Sequence, residues 1–337
     1  MTDFTVIICT YNGERRLPQV LERLRSQVGT ESFTWEILIV DNNSQDGTAR
    51  LVGEYRNRWT TERAIRYTFE PEQGLAYARR RAMALVQSPW AGFLDDDNWP
   101  TETWVRAAWD FARQHPEAGA FGSRIQGQFE VDPPPNFQRI ACFFAIVDRG
   151  ERPRQYPSQR GVLPAGAGMV VNPEAWHRCV PAQPRLKGVC GSSLATKGED
   201  VETLSYIRQA GYPIWYNPEM QLLHFIPKER LARDYLMTFF RGVGLGRYSL
   251  RMVRYRPWQR PAIALAYAVD DFRRLVEYWL EHRVALRQND LVSQCELMLH
   301  WAIAISPFHH WKNRMKYSTG WIRRRNLTIP QPQNSTG

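Results

Sequence analysis

The sequence predicts an α/β protein: a mostly parallel central sheet covered by helices, followed by a basic helical region. Three observations carry this expectation. Strand and helix signals alternate through the first hundred residues, the strands are short continuous apolar runs, and polar clusters sit where they end. Residues 4–9 form a β-branched run, and Leu17, Val20, Leu21, Leu24 and Val28 follow at helical spacing. Residues 35–40 read as a second buried strand ending on Asp41, with a helix over 48–59. A third strand is expected at 65–69, a helix at 76–86 and a fourth strand at 90–94 ending on Asp95. After Pro100 a helix fits 104–111 and a strand 120–123. Residues 124–165, rich in Pro, Gln and Arg and containing Pro133, Pro134 and Pro135, read as an irregular insertion. Regular signals return at 168–171, in a helix over 200–209 and in strands at 213–216 and 220–225. The expected division is therefore an α/β domain over 1–227, a basic helical region over 228–330 and a flexible tail over 331–337.

Composition narrows the class. The chain has 337 residues, 43% hydrophobic and 23% charged, which is too apolar for disorder. No apolar run is long enough for a conventional membrane span. The first residues lack the basic-then-apolar layout of a signal peptide. Cys9, Cys142, Cys179, Cys190 and Cys295 are odd in number and contain no CxxC pair, which argues against a disulfide framework or a thiolate zinc site. A cytoplasmic location is the expectation.

The net charge of +10 is unevenly placed. Residues 1–227 carry 25 Lys and Arg against 26 Asp and Glu, whereas residues 228–337 carry 19 against 8. Such a basic third suits an anionic partner: nucleic acid, an anionic membrane face or a phosphorylated substrate. No zinc-finger, RNP1 or KH signature is present, so nucleic acid is not expected. Leu231, Tyr235, Leu236, Phe239 and Val243 recur at helical spacing among Arg233, Arg241 and Arg247. Ile263, Ala266, Val269, Phe272, Val276, Trp279 and Leu280 do the same among Arg273, Arg274, Arg283 and Arg287. Both stripes have the composition of helices lying in a bilayer interface, and both equally suit core helices with a solvated basic face. The aromatic and basic residues over 311–317 and 321–325 would add to a membrane-facing surface.

The geometry of open α/β sheets puts ligands beyond the carboxyl ends of the strands. Three polar clusters fall there: Thr10-Tyr11-Asn12, Asp41-Asn42-Asn43-Ser44 and Asp95-Asp96-Asp97-Asn98. Three consecutive carboxylates repel one another, and a shared hard cation, Mg2+ or Mn2+, would relieve the repulsion. His224, closing a late strand, is a candidate imidazole for the same ion. No GxGxxG follows the first strand and no Walker A motif exists, so phosphates would fall to metal and to arginines such as Arg79, Arg80 and Arg81. Trp99, Trp176 and Trp215 lie near these clusters in sequence and suit either sugar stacking or core packing.

VIICTYNGE, ILIVDNNSQDGT, EQGLAYARRRA and AGFLDDDNW, then LPAGAGMVVNPEAW and GEDVETLSYIRQAGYPIWYNPEMQLLH, resemble in order and spacing the family 2 inverting glycosyltransferases of the GT-A fold. The resemblance covers residues 4–226. HFIPKERL and the basic helices behind it resemble bacterial, especially cyanobacterial, exopolysaccharide transferases. The resemblance implies that Asp41 binds the nucleobase, with Thr10 and Tyr11 lining the nucleoside pocket and Arg79 near base or pyrophosphate. It places Asp95 and Asp96 near the ribose and metal-bound water, and makes Asp97 the direct metal ligand. Gly166 and Gly168 would leave room for the donor sugar, Asp200 would be the general base, and Glu199 would orient acceptor or loop. Arg80 departs from the family, which commonly has Asn there.

These readings combine into one expectation. A Mn2+- or Mg2+-dependent inverting glycosyltransferase would move a sugar from a nucleotide-diphosphate donor, a UDP-sugar first, to a glycan or lipid-linked acceptor in polysaccharide biosynthesis. It would work peripherally at the cytoplasmic face of the inner membrane. A carboxylate base at a helix start, where the dipole stabilises negative charge, suits Asp200. Two alternatives remain at this stage: a sugar-nucleotide nucleotidyltransferase, and a non-catalytic nucleotide-sugar-binding subunit. The former would want a glycine-rich phosphate loop that TYNGE does not supply.

Overall fold

The computed structural model of the chain describes residues 2–59, 64–157, 162–183, 186–188, 190, 198–253 and 255–325, the stretch 313–325 as helix backbone only. In chain order the elements are β1 (Phe4–Thr10), α1 (Leu17–Arg25), β2 (Trp35–Asp41), α2 (Thr48–Arg58), β3 (Ile65–Phe69), α3 (Leu75–Met83), β4 (Trp90–Asp95), β5 (Asn98–Pro100), α4 (Trp104–Gln114) and β6 (Ala120–Phe129). There follow β7 (Arg154–Gln155), β8 (Val170–Val171), α5 (Pro173–Cys179), α6 (Glu199–Gln209), β9 (Ile214–Ile226), α7 (Lys228–Leu231), α8 (Arg233–Met252), α9 (Arg260–Glu281), α10 (Arg283–Arg287) and α11 (Leu291–Arg325).

The sheet runs β3-β2-β1-β4-β8-β6-β9-β5, with β7 beside β9. β3, β2, β1 and β4 are mutually parallel, as are β6 and β9, while β8, β5 and β7 pair antiparallel. β1 and β2 are buried at every residue because helices cover both sheet faces, which is why they read as unbroken apolar runs. Successive side chains serve opposite faces. Phe4, Val6 and Ile8 join the core under α1, α2 and α4, whereas Ile7 and Cys9 join the core under α3, α5 and α6. The register brings Thr10 opposite Asp41 and Cys9 opposite Asp95, so the polar strand ends emerge side by side.

Three departures from the sequence reading have physical causes. The two late strands are one strand, β9; its register against β6 shifts by three residues at Pro218, Glu219 and Met220, where Pro218 has no N–H to donate to a ladder. The Pro-rich insertion is partly core. β6 continues to Phe129, and short 3-10 turns at Phe137–Arg139 and Ala141–Phe144 bury Phe137, Ile140 and Phe144. Those three pack with Ile226, Leu236, Phe239 and Phe240, so the helices beyond residue 227 share a core with the sheet domain. The stripe at 231–247 is therefore a buried one. Gly244 lets α11 approach: a Cβ there would lie 2.5 Å from that of Ala302. The expected tail at 331–337 lies outside the described residues, and the side chains of the basic–aromatic segments lie outside them from residue 313 onward. Among the described residues, no helix is long and apolar enough to cross a membrane.

Candidate active site

The aspartate triplet sits in the turn from β4 to β5, and its three carboxylates part company. Each meets its own arginine. Asp95 lies 3.7 Å from Arg79 of α3. Asp96 is gripped by Arg16, through Nε at 2.8 Å and a second guanidinium nitrogen at 2.9 Å, and accepts from Thr10 Oγ1 at 2.6 Å. Asp97 accepts from Arg230 of α7 at 2.8 Å. The repulsion expected within the triplet is met here by three guanidinium groups from three parts of the chain. Among the described residues, no cluster of three potential metal-binding side chains exists. Burial pushes the Asp95 carboxyl up to about 6, with Arg79 working the other way. Burial also raises Asp96, against the pull of Arg16. Asp97 is buried too, but the Arg230 guanidinium beside it favours its charged form.

His224 reaches Asp97 because β5 pairs with β9 in a register that puts Asn98 opposite His224. Its Nε2 is 3.4 Å from Asp97 Oδ2 and 3.1 Å from Arg230, and its Nδ1 is 2.7 Å from the Phe144 carbonyl. A guanidinium and a carbonyl fix the tautomer: the first only donates and the second only accepts. Nδ1 therefore carries the proton, and the Nε2 lone pair faces the Asp97 carboxylate. One ring nitrogen tied to a backbone carbonyl while the other is free to ligate is the usual setting of a metal-binding imidazole. Asp97 and His224 thus fit two positions of a divalent site, Mn2+ suiting the mixed oxygen and nitrogen set.

Asp200 stands in the first turn of α6, behind Gly198 at φ +109°. Its Oδ2 accepts from the Gly166 N–H at 2.8 Å, and its Oδ1 from its neighbour Val201 at 2.8 Å. Glu199 is buried and accepts from Arg79 at 3.2 Å, tying α3 to α6. The two glycines make room for protein atoms. A Cβ on Gly166 would lie 2.4 Å from an Arg79 guanidinium nitrogen, and one on Gly168 (φ +64°) 2.2 Å from Leu222.

A cleft of about 1490 Å³ joins these groups: Thr10, Tyr11, Arg79, all three aspartates, Gly166, Glu199, Asp200 and His224 line it. Asp41, Gly168, Arg80 and Arg81 are the site candidates outside this lining, Arg81 being exposed and donating to Thr68. Asp41, buried at the end of β2, accepts from the Ser44 N–H at 2.9 Å and the Tyr67 hydroxyl at 2.8 Å, while its neighbour Asn42 faces the cleft. The three tryptophans serve the core. Trp99 stacks on Phe225, Trp176 packs on Phe93, and Trp215 on Phe111 and His115. Arg16 and Arg230 are among the cleft residues that sequence reasoning missed. TYNGERRL and HFIPKERL contain them, but their partners lie 80 and 133 residues away.

The family model described as glycosyl transferase family 2 matches residues 5–172. Over 103 residues the chain is 33% identical to glycosyltransferase AglE of Haloferax volcanii, a match covering 30% of this chain and 32% of that protein. Over 210 residues it is 25% identical to dolichyl-phosphate beta-glucosyltransferase of Homo sapiens, covering 60% and 57%. The matched part thus spans from about a third to just over half the length of these relatives. Among solved structures, mannosyltransferase PcManGT from Pyrobaculum calidifontis, in complex with GDP-Man and Mn2+, superposes with a TM-score of 0.57 at 16% identity, covering 91% of this chain and 86% of that one. S. aureus TarS 1-349 in complex with UDP-GlcNAc gives 0.52 at 14% identity, covering 89% and 91%. The fold is GT-A.

Proposed function

We propose, from the premise that the chain belongs to glycosyl transferase family 2, that it transfers a sugar from a nucleoside-diphosphate donor, a UDP-sugar first, to a hydroxyl of a glycan or lipid-linked acceptor with inversion at the anomeric carbon. The observation that carries this reading is that Asp97 and Asp200, 103 positions apart in sequence, open onto one cleft lined by the carboxyl end of β1 and by arginines. Thr10, Tyr11 and Asn42 are positioned to meet the nucleoside, with Asp41 behind them on the uracil side. Arg79, held by Glu199, offers positive charge toward the donor's phosphates. Asp97 and His224 would hold Mn2+ or Mg2+, which supplies Lewis-acid stabilisation to the departing diphosphate when bound.

Asp200 takes the proton of the acceptor hydroxyl as its oxygen attacks the anomeric carbon and the sugar–phosphate bond breaks. Two backbone N–H groups fix the carboxylate's orientation, so it meets an acceptor without first finding its rotamer. A single displacement of this kind inverts the anomeric centre. The test is Asp200→Asn. It is expected to bind UDP as the wild type does and to lose at least about a thousandfold in transfer rate, the order of a missing general base. Full transfer by this variant would remove Asp200 as the base. Inorganic pyrophosphate among the products would favour a nucleotidyltransferase, and donor binding without turnover a non-catalytic subunit.

For location we propose a peripheral site on an anionic membrane face, such as the cytoplasmic face of the inner membrane, in polysaccharide biosynthesis. Support comes from α9. Leu265, Val269, Phe272, Val276, Trp279 and Leu280 form an exposed stripe on it, with Leu265 at 70% and Phe272 at 64% exposure. Trp258, Arg256 and Arg260 stand at one end of the stripe and Arg283 and Arg287 at the other, a layout suited to headgroup depth. Flotation of the intact chain with anionic but not with neutral vesicles is expected, and no flotation with either would defeat the proposal.

A further inference from the structure

Arg230 differs from the other two arginines of the triplet in what it occupies. One of its guanidinium nitrogens is bound at once to Asp97 Oδ2 at 2.8 Å and to His224 Nε2 at 3.1 Å, two atoms themselves 3.4 Å apart. Those are the two lone-pair-bearing atoms that the donor-site reading gives to a divalent ion. A positively charged nitrogen and a metal ion cannot share the point between them.

We infer that Arg230 is a built-in cation of the donor site, which a divalent ion must displace from Asp97 and His224, and that the ion therefore enters together with the donor's diphosphate. The inference rests on the proposed donor site and adds to it an order of events and a residue that enforces it. Displacement by the ion alone would strip a largely buried guanidinium, 21% exposed, of its carboxylate, and an uncompensated buried charge is costly. A diphosphate changes that balance because its oxygens give the displaced guanidinium new charge-assisted partners. Arg230 has capacity for them: its Nε is buried and has no hydrogen-bond partner among the described residues. The side chain also lines the cleft itself. Binding of ion and diphosphate is then mutually reinforcing, by the same factor in each direction.

The test is direct Mn2+ binding, read from the loss of the free-ion paramagnetic resonance signal, with and without saturating UDP. For the wild type, UDP is expected to tighten Mn2+ binding about tenfold or more, within the ordinary range of coupling between sites. In Arg230→Met, Mn2+ alone is expected to bind about tenfold tighter than in the wild type, and UDP to tighten it by a smaller factor than in the wild type. Arg230→Gln, which keeps a hydrogen-bond donor but no charge, is expected to follow Arg230→Met. Wild-type behaviour in Arg230→Gln would mean that Arg230 is only a structural latch, and would overturn the inference. So would an unchanged Mn2+ affinity in Arg230→Met that still binds UDP, and in both cases the donor-site reading survives. Absence of UDP binding in the wild type at any Mn2+ concentration would instead remove the donor site, and the inference with it.

Discussion

α8 and α9 are built from the same materials and meet opposite fates. They have 20 and 22 residues, and each carries an apolar stripe interleaved with arginine. α8 buries Leu236, Phe239 and Phe240 against the 3-10 turns and α11. α9 buries a single residue, Asp271, which is paired to Arg251 of α8 through bonds of 2.5 and 2.8 Å, and it turns its apolar stripe outward. Periodicity reports that a helix has an apolar face; what covers that face is decided elsewhere in the chain. The clue in α8 is its run Gly242, Gly244 and Gly246, all buried, which opens a close crossing for another helix. α9 has no such run.

The contrast breaks most readily at the core. Phe240→Ala is expected to cost about 3–5 kcal/mol in urea unfolding, as for other buried aromatics, whereas Phe272→Ala should stay within about 0.5 kcal/mol. Equal losses would erase the distinction between the helices. Next comes the link between them. Asp271→Ala leaves Arg251 without its carboxylate in a buried position, and a loss of about 3 kcal/mol is expected by the same measurement. On vesicles the order reverses: Phe272→Asp should weaken partition onto anionic liposomes at least about tenfold, given roughly 1.5–3 kcal/mol for one large apolar side chain, without a change in unfolding midpoint. Unaltered partition would turn attention to another surface. Gly244→Ala is expected to lose about 1–3 kcal/mol through overpacking against Ala302, despite alanine's better helix propensity. The smallest effect belongs to Arg273→Ala. Its pairs with Asp270 and Glu277 lie in solvent, where screening leaves them little net worth, and a change near the error of the unfolding curve is expected.

The same contrast marks what could be read from sequence. β1, β2 and β4 were legible almost to the residue because strands covered on both faces write themselves as apolar runs, and the polar residues after them announce the cleft. Asp97, Asp200 and His224 could be singled out one by one, and their meeting around one cleft follows from that topology. The arginines that neutralise the triplet could not, because an ion pair across 80 or 133 residues leaves no periodic trace. Gly166 and Gly168 were singled out by the resemblance alone, as room for a donor sugar. Their neighbours proved to be Arg79 and Leu222, which only the folded backbone reveals.

The most direct measurement is calorimetric titration of UDP, in the presence of Mn2+, into the wild type, Asp97→Asn and Asp200→Asn. Asp97→Asn is expected to lose about tenfold or more in UDP affinity, since the proposed metal ligand is gone, while Asp200→Asn matches the wild type. Three equal affinities would contradict a metal-assisted donor site at Asp97, and no binding by the wild type would contradict the donor cleft itself.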